Sequence, residues 1–376
     1  MKLGHSRPRG FALILVMTVI FVLAILAGGF AYSMKVESRL AANANNESEL
    51  EWMGRSGVEL AKYFLDQSGR LGGRYTALNQ RWAGGPGDGQ ETNSPLMAID
   101  LRHYELGAGS ISVYISDLER KLNINRIAAL RGPQGGGQEI LLRALTFLGV
   151  DAGESAVISD SIVDWKDPDD HTNLSGTESD FYLGRAHPHV AKNGPLDDLA
   201  ELLLVNGVSP ELYWGPRWAA HQFQLVDSGR GRRGRVADVQ PLYPLGLVDL
   251  FTPLSNGAVN INTASSAVLQ IALGIPDNLA AEIVRARSGP DGAEGTEDDT
   301  PFQNTAMAMV PGMEAMPPGT RAPLSVISTH FEVTVDVRLG RSHRQCVAVL
   351  ARNAPGVMTP SLAGEGGVRT LMFSWR

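Results

Sequence analysis

No charged residue occurs between Phe11 and Met34. As a helix that run is about 36 Å long, enough to cross a hydrocarbon layer about 30 Å thick. The apolar positions then narrow to a stripe. Leu50, Met53, Gly54, Gly57, Val58, Ala61, Phe64 and Leu65 recur at steps of three and four, which puts them on one helical face. The pattern predicts one continuous helix from Phe11 to about Gln67, roughly 85 Å long. Gly69, Gly72 and Gly73 close it. Its first half is apolar all round; its second half is amphipathic and needs a sheet to lie on.

Strand periodicity is found at both ends of the remaining chain. Ile111, Val113 and Ile115 alternate with Ser112, Tyr114 and Ser116. Phe331, Val333, Val335, Val337 and Leu339 alternate with Glu332, Thr334, Asp336 and Arg338, and a turn at 340–343 leads into 345–350. This is an antiparallel hairpin with one buried face, and Met372 to Trp375 adds an edge strand. Between these parts, 141–148, 156–165, 196–204, 267–273 and 279–287 have helical periodicity, with Gly and Pro between them. The expected fold class is α+β, a long N-terminal helix on an antiparallel sheet with a large inserted all-α domain.

Lys2, Arg7 and Arg9 precede the apolar run with no acid among them, which keeps that end cytoplasmic and sends the rest across the membrane. The run is too long for an ordinary secretory signal, and no Ala-x-Ala cleavage site bounded by a turn follows it. A net charge of −7 argues against nucleic acid or anionic lipid as a partner. The single cysteine, Cys346, allows no internal disulfide and sits where a small core residue is expected.

The junction of Gly10 with Phe11 resembles the leader of type IV pilins and pseudopilins. That resemblance implies cleavage after Gly10 by a prepilin peptidase and methylation of Phe11. Most such proteins carry Glu at the fifth mature position; here it is Leu15. The missing Glu resembles one branch, the general secretion pathway K family of minor pseudopilins. Four phrases extend the match in order: Asp117 to Asn125, Asp164-Trp-Lys-Asp167, Asn193 to Leu202 and Val259 to Ala264.

The resemblance divides the chain into a leader (1–10), a transmembrane and filament-core helix (11–34), a pilin-like part (35–125), an inserted helical domain (126–322) and closing pilin-like strands (323–376). It implies a single-pass inner-membrane protein with its head in the periplasm. The expected partners are I- and J-type minor pseudopilins, an H type, the major pseudopilin, the prepilin peptidase and a secreted substrate. These assemble at the tip of a short filament, whose growth the complex initiates. Leu15 and the bulk of the insertion both favour the terminal position.

Two acidic segments are candidate cation sites. One is Asp291, Glu294, Glu297, Asp298 and Asp299, five acids in nine residues. The other is Asp164, Asp167, Asp169 and Asp170, followed by His171 and later by Glu178 and Asp180. Hard cations such as calcium take six to eight oxygens, and structural calcium in the insertion is part of what the resemblance implies; the first loop is the favoured site. In each, the alternative is a solvated acidic loop, and Asp164 with Trp165 also suits a capping role after a helix.

No nucleophile–base pair, metal-binding His-x-x-x-His or Gly-x-Ser-x-Gly occurs, so catalysis is not expected. The stretch from Asn260 to Ile275 resembles a helix-hairpin-helix, a DNA-gripping unit elsewhere. Residues 251–320 hold two arginines and eight acids, the wrong sign for phosphate. Asn262 or Thr263 is expected to cap the helix that follows. The competing readings are a minor pilin of a type IV pilus or DNA-uptake system and, less well supported, a membrane-anchored nucleic-acid binder.

Overall fold

Helix α1 runs unbroken from Gly10 to Leu71. The computed structural model describes residues 10–71, 74–87, 95–127, 136–218, 242–308, 322–353 and 367–376. The leader before Gly10 and the glycine-rich 227–235 stretch lie outside them. From Leu13 to Ala41, α1 touches no other part of the chain closely enough to be covered. From Leu50 onward its apolar stripe is buried, with Ala61, Phe64 and Leu65 at or below 1% exposure. Gly69 falls inside the last turn, where the Arg352 side chain packs close against it.

The sheet under α1 has five strands in the order β1 (Tyr104–Leu106), β2 (Gly109–Asp117), β7 (His330–Leu339), β8 (Ser342–Arg352) and β9 (Val368–Trp375). All neighbours are antiparallel. Chain-distant β2 and β7 pair Ile111 with Val337 and Val113 with Val335, so the alternating residues of both strands share one face. Two glycines let α1 settle on that face. A Cβ at Gly57 would collide with Val335, and one at Gly54 with the Trp375 ring. Cys346 is fully buried in this core.

The residues between β2 and β7 fold around a second core, drawn from Leu122 to Val326. Its helices are α2 (Ile124–Ile127), α3 (Gly136–Leu148), α4 (Ala152–Lys166), α5 (Ser179–Leu183), α6 (Pro210–Trp214), α7 (Leu247–Leu250), α8 (Ser266–Leu273) and α9 (Asp277–Arg287). Leu199–Leu204 is a 3-10 helix, capped by Asp198. The insertion is not purely helical. Two short parallel ladders cross it, β3 (Leu122–Asn123) with β4 (Phe251–Thr252) and β5 (Val259–Asn260) with β6 (Leu324–Ser325). Each brings together residues far apart in sequence, so no local periodicity announces it.

The cores meet at a buried polar seam. Asp117 ends β2, and its carboxylate accepts from the Glu119 amide (2.8 Å), Asn260 Nδ2 (3.2 Å), Thr263 Oγ1 (2.5 Å) and Ser328 Oγ (2.6 Å). Glu119, wholly buried, accepts from the Thr329 amide (2.8 Å) and hydroxyl (2.7 Å) and faces His330 Nδ1 at 3.1 Å. Arg352 donates to Thr76 Oγ1 (3.1 Å) and the Ser328 carbonyl (2.8 Å). Thr263 therefore does not cap α8, and neither does Asn262, which bonds Phe302 through both ends of its amide. Ser265 is the cap, accepting from the Val268 amide.

Candidate functional site

The N-terminal half of α1 is one candidate. Gly10 and Phe11 open the helix. Leu15 is 56% exposed on a surface of exposed Leu, Ile, Val and Phe side chains. Thr18 returns its hydroxyl to the carbonyls of Ile14 (3.0 Å) and Leu15 (2.9 Å), so its donor is satisfied within the helix. The helix is long and apolar enough to cross a membrane. Such a surface in water is an association or lipid surface.

The second candidate is the segment from the end of α4 to the start of α5. Asp164 is fully buried and holds the loop, accepting from the Asn173 amide and side-chain Nδ2. Asp160, one turn earlier on the same face, accepts from Gln138 Nε2 (2.5 Å) and the Ser175 amide (2.9 Å). The loop comes so near that a Cβ at Gly176 would strike the Asp164 carboxylate. Burial pushes the Asp164 carboxyl above its ordinary range, against the bonds from Asn173.

Glu178 ends this loop beside α5. It is 6% exposed, and neither carboxylate oxygen accepts a hydrogen bond of ordinary geometry, although the Ser179 amide lies near enough to pull its pKa down slightly. It lies just beneath the surface, where burial and then the charges of Asp164, Asp170 and Asp169 raise its pKa. It lines a half-open cavity of about 550 Å³ with Asp170, Thr172, Thr177, Asp180 and Phe181. Behind it, Trp165 packs edge-on to Tyr182 at 5.3 Å. A buried, unpaired carboxylate among other acids is costly, and the hard oxygen donors suit a hard cation. Asp169 is turned to the His171 amide and ring at 3.0 Å, and Asp170 accepts from Asn193 Nδ2 at 2.9 Å.

The segment 291–299 differs. Asp291 accepts from the Ala293 amide (2.7 Å), Asp298 from the Asp291 amide (2.9 Å) and Thr296 Oγ1 (2.8 Å), and Asp299 from the Gly295 amide (2.7 Å). Glu294 is drawn away to Arg287, whose Nε donates to it at 2.7 Å. Glu297 is exposed. Arg287 is itself 3% exposed and also donates to the carbonyls of Ile261 and Ala264 (2.6 Å for the latter). The structure thus spends these acids on closing their own loop. The Thr296 hydroxyl and Asp291 amide bonds hold the Asp298 carboxyl below its usual range.

Among the described residues, no three His, Cys, Asp or Glu side chains converge as a ready-made metal cage. The five-acid loop does not gather its carboxylates, because backbone amides and Arg287 reach them first. Glu178, which follows the Asp164–Asp170 cluster in sequence, is the carboxylate left without a hydrogen-bond donor, and among the described residues it too gathers no third carboxylate about it.

Comparison with known proteins gives a consistent result. Residues 120–215 match the family described as type II secretion system (T2SS), protein K. Protein K of Klebsiella pneumoniae is 24% identical over 213 residues, 56% of this chain and 61% of the relative. Protein K of Aeromonas hydrophila is 23% identical over 363 residues, 92% of this chain and 93% of the relative. The Klebsiella match thus spans under two thirds of that relative's length, whereas the Aeromonas match spans nearly all of it. The fold is that of the crystal structure of the GspK-GspI-GspJ complex from enterotoxigenic Escherichia coli, with a TM-score of 0.62, 19% identity, and coverage of 89% of this chain and 99% of that one.

Proposed function

We propose, from the premise that this chain is a relative of type II secretion system protein K, that it acts as a minor pseudopilin. The observation that carries this is the division of α1: one half fully exposed and apolar, the other buried on a five-stranded sheet. An uncovered helix joined rigidly to a folded head is a part that plugs into other helices. In this reading the helix anchors the chain once in the inner membrane, with the head in the periplasm.

The head joins I- and J-type siblings, as in the complex whose fold it shares, and that assembly starts the filament tip. The H-type and major pseudopilins and a secreted substrate are its further contacts. Prepilin peptidase removes residues 1–10 and methylates Phe11. The role is structural, with no catalytic step.

A structural cation, calcium, belongs to this reading at the Glu178 pocket, with Asp170 beside it. When bound, it supplies positive charge to a cluster that otherwise repels itself.

The test is purification of the chain from native membranes. A mature start at methylated Phe11 and co-purification of I- and J-type siblings support the reading. An intact Met1 on a solitary chain refutes it. Replacing Leu15 by Glu separates the two causes of tip placement. Crosslinks that move to the filament interior assign the effect to the missing charge; unchanged crosslinks assign it to the bulk of the insertion.

A further inference from the structure

The end of the head that points back along α1 carries its own charge pattern. β7 and β8 are joined by a two-residue turn, Gly340–Arg341, with Leu339 paired to Ser342. Gly340 has a φ of 57°, the sign that a tight hairpin wants at its first turn residue, and Arg341 stands exposed at the apex. The turn lies beside α1 where the helix leaves the head. An open cleft of about 290 Å³ there is lined by Asn46, Glu47, Leu50, Ser342, His343 and Arg344. Arg344 is held by Glu47 at 3.2 Å and lies over the Trp375 ring. Arg338 and Arg341 are exposed, and no carboxylate among the described residues bonds either one.

The acids nearby stand further up the head. Asp336 accepts from Gln345 Nε2 at 2.8 Å and faces His343. Glu105 is level with Arg338, across Ser110. Glu49 stands beside Gly107, in a turn whose two residues, Gly107 and Ala108, are uncharged. On the bare helix below, Lys35 and Arg39 outnumber Glu37. From Asn46 back to Met34, α1 covers about 18 Å. The turn reaches below Asn46, which leaves Arg341 roughly 10–15 Å beyond the uncharged run. The headgroup layer adds about 5–8 Å outside the hydrocarbon. An outstretched arginine meets that layer when α1 tilts toward the sheet by about 20°, an ordinary tilt for a spanning helix.

On the premise that α1 anchors the chain in a membrane with the head beyond Met34, we infer that the β7–β8 turn docks on anionic phospholipid headgroups of that membrane. The occupant is the phosphodiester of a negatively charged lipid, met by Arg341 at the apex and Arg338 beside it. The planar donors of arginine suit phosphate oxygens, and basic side chains close to an anionic surface are drawn to it. The overall charge of −7 has the wrong sign for this. The local sign decides, because salt limits the attraction to about 8–10 Å. Docking pins the head of an unassembled subunit to the membrane surface.

The test is arginine footprinting of the full chain in lipid nanodiscs of phosphatidylcholine, alone or with about one third phosphatidylglycerol. Modification by phenylglyoxal, read by mass spectrometry, is expected to slow about fivefold at Arg341 and Arg338 in the anionic discs at low salt. Arg285 of α9, exposed on the insertion, is expected to keep its rate. Salt at about 0.5 M should erase the difference. Arg341→Glu changes an exposed turn residue and leaves both cores intact, and it should cut the slowing at Arg338 to about twofold or less. A chain held by both discs whose Arg341 and Arg338 react equally in each overturns the docking and leaves the anchor standing. So does an undiminished slowing at Arg338 in Arg341→Glu. A chain that neither disc retains overturns the anchor and the docking with it.

Discussion

The segments 164–178 and 291–299 are both acidic loops leaving a helix, yet the structure treats them in opposite ways. The denser one is settled: its carboxylates accept from its own amides, and Glu294 pairs with Arg287. The sparser one keeps a fault, a buried Glu178 with no partner among Asp164, Asp169 and Asp170. Acid density in a sequence therefore says little about where charge remains unbalanced. What counts is which carboxylates the fold covers before a donor reaches them.

The largest expected effect tests the settled side. Arg287→Ala leaves the Ile261 and Ala264 carbonyls and Glu294 without their donor, so denaturant unfolding should show a loss of about 3–5 kcal/mol. A loss under about 1 kcal/mol would mean that the loop closes without Arg287. Next, Glu178→Gln in chelator should raise stability by about 1–2 kcal/mol, because an unpaired buried charge disappears. With millimolar calcium the sign should reverse, since the unaltered chain gains from the cation and the variant does not. Equal calcium stabilisation of both proteins would remove Glu178 from the cation site.

pH gives a smaller contrast, read in chelator by local hydrogen exchange. Glu178 and Asp164 are raised in the fold. Their contribution is whole below the unfolded value and fades as pH rises through the folded one. Asp298 is lowered, so its contribution is present above the unfolded value and fades as pH falls through the folded one. Loop 164–178 should thus tighten on acidification, while loop 291–299, where burial raises Asp299 against the lowered Asp298, should change much less; an equal tightening of both loops would contradict the contrast. Smallest of all, Asp298→Asn should leave the melting temperature within about 1 °C. A drop of several degrees that calcium restores would return the cation to the five-acid loop.

Much of the scaffold was legible from periodicity alone. The stripe from Leu50 to Leu65 predicts the buried face of α1, and the alternation at 111–116 and 331–339 predicts strands that the structure extends by one or two residues at most. The helices at 267–273 and 279–287 appear with similar bounds, while those expected at 141–148 and 156–165 begin earlier, at Gly136 and Ala152. The segment 196–204 is a shorter 3-10 helix beginning at Leu199. Capping was less legible. Ser265, not Asn262 or Thr263, caps α8, because the short ladder at Val259–Asn260 carries the chain two residues further before the helix can begin.

The chain's own order of apolar and polar residues determined the long helix, its uncovered first half, the antiparallel strands and the helical character of the insertion, since each rests on neighbours within a few positions. Tertiary structure decided which acids bear unbalanced charge and where the two cores join. Asp117 draws on donors 143, 146 and 211 residues away. Glu178 loses water through the folding of the loop that ends in it. Desolvation and long-range hydrogen bonding belong to the packed molecule, and no pattern along the chain encodes them locally.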